Sequence, residues 1–436
     1  RVVGVGAGIR HGQHEHPHLR RRGGLMLFAT HRSIIVVAMK RLLPVIVLLC
    51  LGTIVTDAQP VLDKAARAWV DSTLKKLSLE ELVGQMIFAR FDATYLSSDS
   101  AEFDRLSALV RDTHVGGFTA FGGTEPVPQV MLNSTYGSVI LGQPLELASI
   151  LNRLQTLSRV PLLTSCDFEW GVQMRIAGAT KFPRAMAFGA TGDSQLAYQA
   201  GRVVAVESRA LGIHMDLGPV ADVNSNPRNP VINIRSFGED PAATGAMVGG
   251  WVRGLQDGGV LATLKHFPGH GDTDMDSHLG LPIVPHSLER LERVELPPFK
   301  SGFDAGAAAV MVAHVEMPAL DPKKQPATFS AKVIGTLLRP NFDGLIVSDA
   351  MNMRGVTLMG PAGEAAVRAT KAGIDMILHS PDSAAAAAAV VAAVMSGEIP
   401  RLRIEQSVRR ILEAKARLGL HRTRLVNLDS VPLTVG

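Results

Sequence analysis

Eight short apolar runs, separated by longer stretches of helical spacing, constrain this 436-residue chain more than any other feature. They lie at residues 85–91, 115–121, 161–168, 215–223, 260–267, 309–317, 344–351 and 375–379. Most are near-continuous rather than alternating, as in strands buried on both faces. Between them, residues 145–157, 194–211, 244–256, 288–303, 331–338 and 363–372 repeat apolar positions at helical intervals. Strand–helix alternation predicts a parallel sheet. Eight such units predict an α/β fold, a single-domain (β/α)8 TIM-like barrel. The alternative, an open doubly wound sheet, calls for a glycine-rich phosphate turn after its first strand, and none follows the first run.

The flanks complete this plan. Leu62, Ala66, Trp69, Val70, Leu74 and Leu77 predict a helix over 63–77, and Ser78 opens a Ser-Leu-Glu-Glu capping box for the next one. Residues 384–394 and 404–418 read as the last helices, and 421–436 as a frayed C-terminal tail. The barrel is expected over 59–420. Upstream, residues 1–38 are rich in Gly, Arg and His without periodicity, and read as a disordered or artefactual extension; His11, His14, His16 and His18 offer a metal alternative there. Met39-Lys40-Arg41, an apolar run over 42–55 and a small residue at Ala58 predict a signal peptide over 39–58, hence a secreted or periplasmic protein. The apolar run is short for a membrane span. An uncleaved anchor and lipidation at Cys50 are the alternatives, although Leu48-Leu49 lacks the small residue a lipidation signal wants.

Charge excludes a nucleic-acid-binding body. The total is +4, but the first 41 residues alone hold eight bases and one acid, which leaves the rest at −3. Two cysteines exclude a disulfide scaffold and a Cys-rich metal site.

Ionisable residues gather where the apolar runs end, the C-terminal rim at which barrels of this kind keep their chemistry. They include Asp167 and Glu169, Asp222 and Asn224, Lys265 and His266, His314 and Glu316, and Asp349. Each alone could cap the following helix; the recurrence at five ends predicts a polar pocket. The stretch 265–278 reads Lys-His-Phe-Pro-Gly-His-Gly-Asp-Thr-Asp-Met-Asp-Ser-His, a loop by composition. It lacks the spacing of a zinc site and the Glu of a calcium loop. Asp276 and His278 flank Ser277, so in an extended stretch both side chains would project the same way. A carboxylate beside an imidazole fixes its tautomer and raises its basicity.

At these residues the chain resembles glycoside hydrolase family 3, in its single-domain β-N-acetylhexosaminidase branch, from about Trp69 to Leu420. The 265–278 loop is similar to that branch's signature down to Asp-Ser-His. Residues 224–238, with Asn224-Ser225-Asn226-Pro227 and Arg235-Ser236-Phe237-Gly238, resemble a second signature, and residues 344–351 the nucleophile strand. The resemblance implies retaining cleavage of a terminal β-linked N-acetylglucosamine from cell-wall fragments or chitooligosaccharides. It implies Asp349 as nucleophile, His278 oriented by Asp276 as acid/base, and no metal or cofactor. Asp167, Arg175, Lys265 and His266 would surround the non-reducing-end ring, with Arg235 near the nucleophile. A carbohydrate is the expected partner; nucleic acid and a stable membrane span are not expected. Phosphorolysis and a non-catalytic sugar-binding barrel are the alternatives. In one departure Trp170 replaces a Gly of the branch and Val172 an Arg. Trp170 would either stack on a sugar face or pack beneath the loop. The wider family's two-domain β-glucosidases place a Glu acid/base on a second domain, and no such domain is read after Gly419.

Overall fold

The computed structural model describes residues 62–122 and 141–436; the extension expected at 1–38 and the signal peptide expected at 39–58 lie outside them. Eight parallel strands form the centre: β1 (Ile87–Asp92), β2 (Gly117–Phe121), β3 (Leu163–Cys166), β4 (Met215–Asp216), β5 (Leu261–Phe267), β6 (Ala309–Val312), β7 (Leu345–Ser348) and β8 (Ile377–Leu378). They pair in the order β7-β6-β5-β4-β3-β2-β1-β8. In register, Phe88 stands beside Gly117, Ser165 beside Met215, and Ile87 beside Ile377. A parallel bridge between Val347 and Met376 completes the ring, which excludes the open sheet. Every residue of β5 is buried, as the near-continuous apolar pattern requires. Gly117 opens β2 where a Cβ would stand 1.7 Å from the Leu163 carbonyl oxygen, so only glycine lets β2 and β3 approach.

The seam between β7 and β8 is closed by side chains as much as by the ladder. Ser348 N donates to Met376 O at 2.9 Å, and Leu378 N to Ser348 Oγ at 3.0 Å. Ile346 N donates to Asp375 Oδ2 at 3.0 Å. Asp375 is fully buried and is balanced by Arg339 at 2.8 Å and by Arg403 and Arg410, each at 3.5 Å.

The helices follow the sequence at most positions. Asp63 caps Lys64–Lys76 by accepting from Ala66 N at 2.7 Å. The capping box forms at Ser78, whose N–H donates to Glu81 Oε2 at 2.9 Å while Glu81 N donates to Ser78 Oγ at 3.2 Å. Four elements differ from expectation. Residues 288–303 are two helices, Leu288–Arg293 and Leu296–Asp304, because Pro297 and Pro298 supply no N–H to continue the first but suit the first turn of the second. Residues 331–338 form a wide turn, Val333–Leu338, closed by Arg339 N on Ile334 O; Pro340 has no donor to regularise it. The run at 215–223 is a strand only at Met215–Asp216: Gly218-Pro219 breaks the ladder, and the chain runs on beside β5 through Thr263 N to Gly218 O (2.8 Å) and Ala221 N to Lys265 O (2.6 Å). The 421–436 tail packs rather than frays. Val431 is fully buried, Asn152 and Val426 exchange two bonds of 2.9 Å, and Gly436 N reaches Glu207 at 3.0 Å. Among the described residues no helix is long and apolar enough to cross a membrane.

Candidate active site

The C-terminal ends of the strands surround a cleft of about 240 Å³. That volume suits one sugar ring rather than a drug-sized ligand, for which several hundred Å³ is usual. Asp167, Arg175, Arg235, Lys265, His266, His278 and Asp349 all line it; Asp276 stands behind His278.

The floor is an alternating chain of charge. Lys265 Nζ lies 2.8 Å from Asp167 Oδ1 and 2.8 Å from Glu169 Oε1. Arg175 donates to Asp167 Oδ2 at 3.2 Å. Arg235 grips Glu169 through Nε and Nη2 at 2.8 and 2.7 Å. All five side chains are withdrawn from water, where charges persist only when paired. Burial pushes the Glu169 carboxyl up, but Arg235 and Lys265 outweigh it and hold it well below the usual carboxylate range. Burial and the same competition with Lys265 and Arg175 leave Asp167 lowered. Lys265 is raised: burial lowers it, and Asp167 and Glu169 more than reverse this.

One wall is organised by Asp222, which follows β4 and is fully buried. Its Oδ2 accepts from His266 N at 3.1 Å and faces His266 Nδ1 at 2.7 Å; its Oδ1 accepts from His270 N at 2.7 Å. A carboxylate can only accept, so His266 carries its proton on Nδ1 and offers Nε2 to a ligand. Opposite, Asp349 directly follows β7. Its N–H donates to Val312 O at 3.1 Å, and its Oδ1 accepts from Ala350 N at 2.7 Å. Burial raises the Asp349 carboxyl, but His314, His266 and the Ala350 N–H together outweigh it, and the net shift is downward, so it is ionised at neutral pH. His314 Nε2 lies 3.1 Å from Ala350 O and Nδ1 2.8 Å from Thr328 Oγ1. The carbonyl accepts only, so His314 donates from Nε2 and steadies the peptide beside Asp349; burial keeps this imidazole below its usual value.

The loop after β5 is pinned at its root and reaches across the cleft. Asn229 Nδ2 donates to His270 O and Gly271 O at 2.8 and 3.0 Å. His270 joins Thr273 at 2.7 Å and Ser277 at 3.1 Å. At the far side Gly355 N, beyond β7, donates to Ser277 O at 3.4 Å. Asp276 and His278 meet in a turn rather than an extended stretch: Asp276 Oδ1 accepts from His278 N at 2.8 Å and faces His278 Nδ1 at 2.8 Å. Nε2 of a half-buried imidazole, backed by a buried carboxylate, is thereby turned from its partner. Burial raises Asp276, but the two bonds from His278 leave it lowered.

Trp170 is buried with the Arg184 guanidinium 3.2 Å from its ring centre, and it does not line the cleft, so it packs beneath the loop. Glu169, Asp222, His314 and His379 were not selected from sequence. The first three stand at strand ends where polar residues were noted. His379 closes the eighth apolar run, and no pattern marked it. Among the described residues no group of three or more His, Cys, Asp or Glu is arranged to hold a metal ion.

Comparison with known proteins adds a family to this geometry. The glycosyl hydrolase family 3 N-terminal domain matches residues 78–414. A protein of Cellulomonas fimi named β-N-acetylglucosaminidase/β-glucosidase is 33% identical over 378 residues, covering 84% of this chain and 62% of its own. A β-hexosaminidase of Neisseria meningitidis is 36% identical, covering 62% of this chain and 78% of its own. This chain thus spans under two thirds of the Cellulomonas relative, and 43% of β-hexosaminidase A of Pseudoalteromonas piscicida. Among solved structures, a family 3 β-N-acetylglucosaminidase of Paenibacillus sp. superposes with TM-score 0.72 at 40% identity, over 82% of this chain and 68% of that one. A β-glucoside phosphorylase superposes with TM-score 0.76 at 26% identity, over 87% and 66%.

Proposed function

The chain belongs to glycosyl hydrolase family 3, and from that membership we propose that it is a retaining exo-β-N-acetylglucosaminidase acting on cell-wall fragments or chitooligosaccharides. One observation carries the reading: the Asp349 carboxylate and an imidazole backed by Asp276 line the same one-ring cleft as the buried Asp167–Lys265–Glu169–Arg235 chain. The names of the β-hexosaminidase relatives support the sugar class.

In the first step Asp349 attacks the anomeric carbon. The bond to the leaving oxygen breaks, and His278 gives that oxygen its Nε2 proton. A covalent glycosyl-aspartate results. In the second step His278, now neutral at Nε2, takes a proton from water as its oxygen attacks the same carbon and Asp349 departs. Asp276 holds the Nδ1–H throughout and stabilises the imidazolium. A pair of carboxylates does this in most retaining glycosidases. The ionised state of Asp349 suits a nucleophile, and the paired floor offers fixed donors and acceptors to hydroxyls. Export rests on residues 39–58 of the sequence and on no described residue.

Trapping with fluorinated sugars tests the reading. A glucosaminide adduct on the peptide containing Asp349, seen by mass spectrometry, is expected; an adduct elsewhere, or none from any sugar, overturns it. A second reading is phosphorolysis, favoured by the neutral imidazole, which repels phosphate less than a carboxylate would, and by the likeness to a β-glucoside phosphorylase. Sugar 1-phosphate formed on adding phosphate would select it.

A further inference from the structure

His379 stands at the end of β8, in the wall of the cleft, and the mechanism above does not use it. It is 6% exposed, and its Nε2 is buried without a hydrogen-bond partner. Nine in ten buried polar atoms in proteins are paired, so an orphan on a ring that lines a cavity calls for an explanation. Two other buried histidines have partners, His214 with Thr164 at 2.7 Å and His314 with Thr328 at 2.8 Å.

The backbone holds this ring in place at some strain. His379 has φ of 50°, the left-handed region that non-glycine residues avoid. The conformation is fixed on both sides: His379 N donates to Phe88 O at 2.9 Å, and the ring stands edge-on to Phe121 with centroids 5.6 Å apart. Phe121 in turn carries the guanidinium groups of Arg175 and Arg90 against its ring, at 4.3 and 4.4 Å. Asp167, Asp349, Arg90 and Arg175 are the charged groups whose fields reach the imidazole. The two anions and the two cations act in opposite directions there. Burial then keeps the ring below its usual value, at about 4, so at neutral pH it offers one donor and one acceptor and no charge. That is a partner for a neutral hydroxyl rather than for a phosphate or carboxylate.

We propose that His379 Nε2 hydrogen-bonds a hydroxyl of the terminal sugar ring, the one held at the Asp167–Arg175 end of the cleft, and so selects glycosides whose terminal ring is unsubstituted there. The proposal rests on the glycosidase reading. Its strength lies in discrimination: a site built to bond a hydroxyl rejects the analogue that lacks it far more than an apolar pocket does.

The test pairs two variants with two deoxy substrates. Aryl β-N-acetylglucosaminide and its 4-deoxy and 6-deoxy analogues are compared on wild type, His379→Ala and His379→Gln, whose amide nitrogen can stand where Nε2 stands. Wild type is expected to lose roughly ten- to hundredfold in kcat/KM on one deoxy analogue. His379→Ala is expected to lose that much on the parent and to show no further loss on the same analogue; His379→Gln should recover most of the parent's rate. Full deoxy discrimination retained in His379→Ala at both positions overturns the proposal. A readout independent of turnover is the 15N shift of the His379 imidazole on saturation with N-acetylglucosamine. A changed Nε2 shift is expected, and an unchanged one at saturation overturns the contact even if the enzyme is a glycosidase. A wild type that neither cleaves nor binds the sugar overturns the glycosidase reading first, and this proposal with it.

Discussion

Replacing Glu169 with Gln keeps the shape of the cleft floor and removes one charge from it. Glu169 touches both Arg235 and Lys265, with contacts of 2.7, 2.8 and 2.8 Å, and its side chain is 4% exposed. Wild type sets two carboxylates against three cations; the variant sets Asp167 alone against the same three. Breaking a buried pair from one side costs about 3–5 kcal/mol, because the surviving charge stays in a dry site. Over the roughly 380 residues of the folded unit, at about 2.1 cal/mol/K each, this is a fall of about 4–6 °C in Tm. The sign with pH follows from the lowered carboxyl. A group depressed in the folded state stabilises above its unfolded value, near 4.3, and that stabilisation is lost as pH falls through the folded value. Thermal melts of both proteins at pH 7, 5 and 3.5 should therefore show a full gap at the first two and a narrowing one at the third. A gap under about 1 kcal/mol at pH 7, or one that stays constant to pH 3 or widens on acidification, would refute the paired-floor argument.

Asp349→Ala is expected to lower kcat on an aryl β-N-acetylglucosaminide by at least about a thousandfold without unfolding the barrel, as judged by circular dichroism. His278→Ala should slow substrates with poor leaving groups roughly a hundredfold more than activated aryl ones, and Asp276→Asn should follow the same order with a smaller loss of about ten- to hundredfold; equal losses on both substrates would make His278 a positioning residue only. Lys415 is fully buried, bonded to Gln85 at 2.7 Å, and lowered by burial to about 7. The unfolded chain binds its proton up to about pH 10.4, so wild type should gain stability relative to Lys415→Met between pH 7 and 10, by on the order of several kcal/mol in urea titrations. No change in the difference across that interval would show that the ammonium is not desolvated.

The barrel was legible because its strands are buried on both faces: a run such as Leu-Ala-Thr-Leu-Lys-His-Phe can only be central, and its Lys-His ending can only point at the rim. What sequence spacing could not supply was pairing across distant strands. Asp167 and Lys265 are 98 residues apart, and Asp222 and His266 are 44 apart, so their union is a property of ring closure. Glu169 looked like a neighbour of Asp167 and proved to be the partner of Arg235, 66 residues on. The helix over 288–303 failed for a local reason, since apolar spacing ran straight through Pro297-Pro298 and masked a break. Asp276 and His278 were paired from their separation alone, and the pairing is present, although the turn that makes it was read as extended chain.

The stitched junction between β7 and β8 gives the protein a built-in order of failure. The other adjacent strands share at least two registered pairs, and β6 and β7 share four, whereas here a single bridge is flanked by main-chain bonds such as Asp375 N to Ile346 O (2.7 Å) and by the side-chain bonds of Ser348 Oγ and Asp375. A barrel under mild denaturant opens where its regular ladder is shortest, and this junction borders the strand that Asp349 directly follows. Amides on either side should exchange with deuterium before those of β1 and β2, and turnover should vanish at a urea concentration where most of the helical ellipticity survives. The short ladder thus makes the strand leading to Asp349 the first expected to loosen.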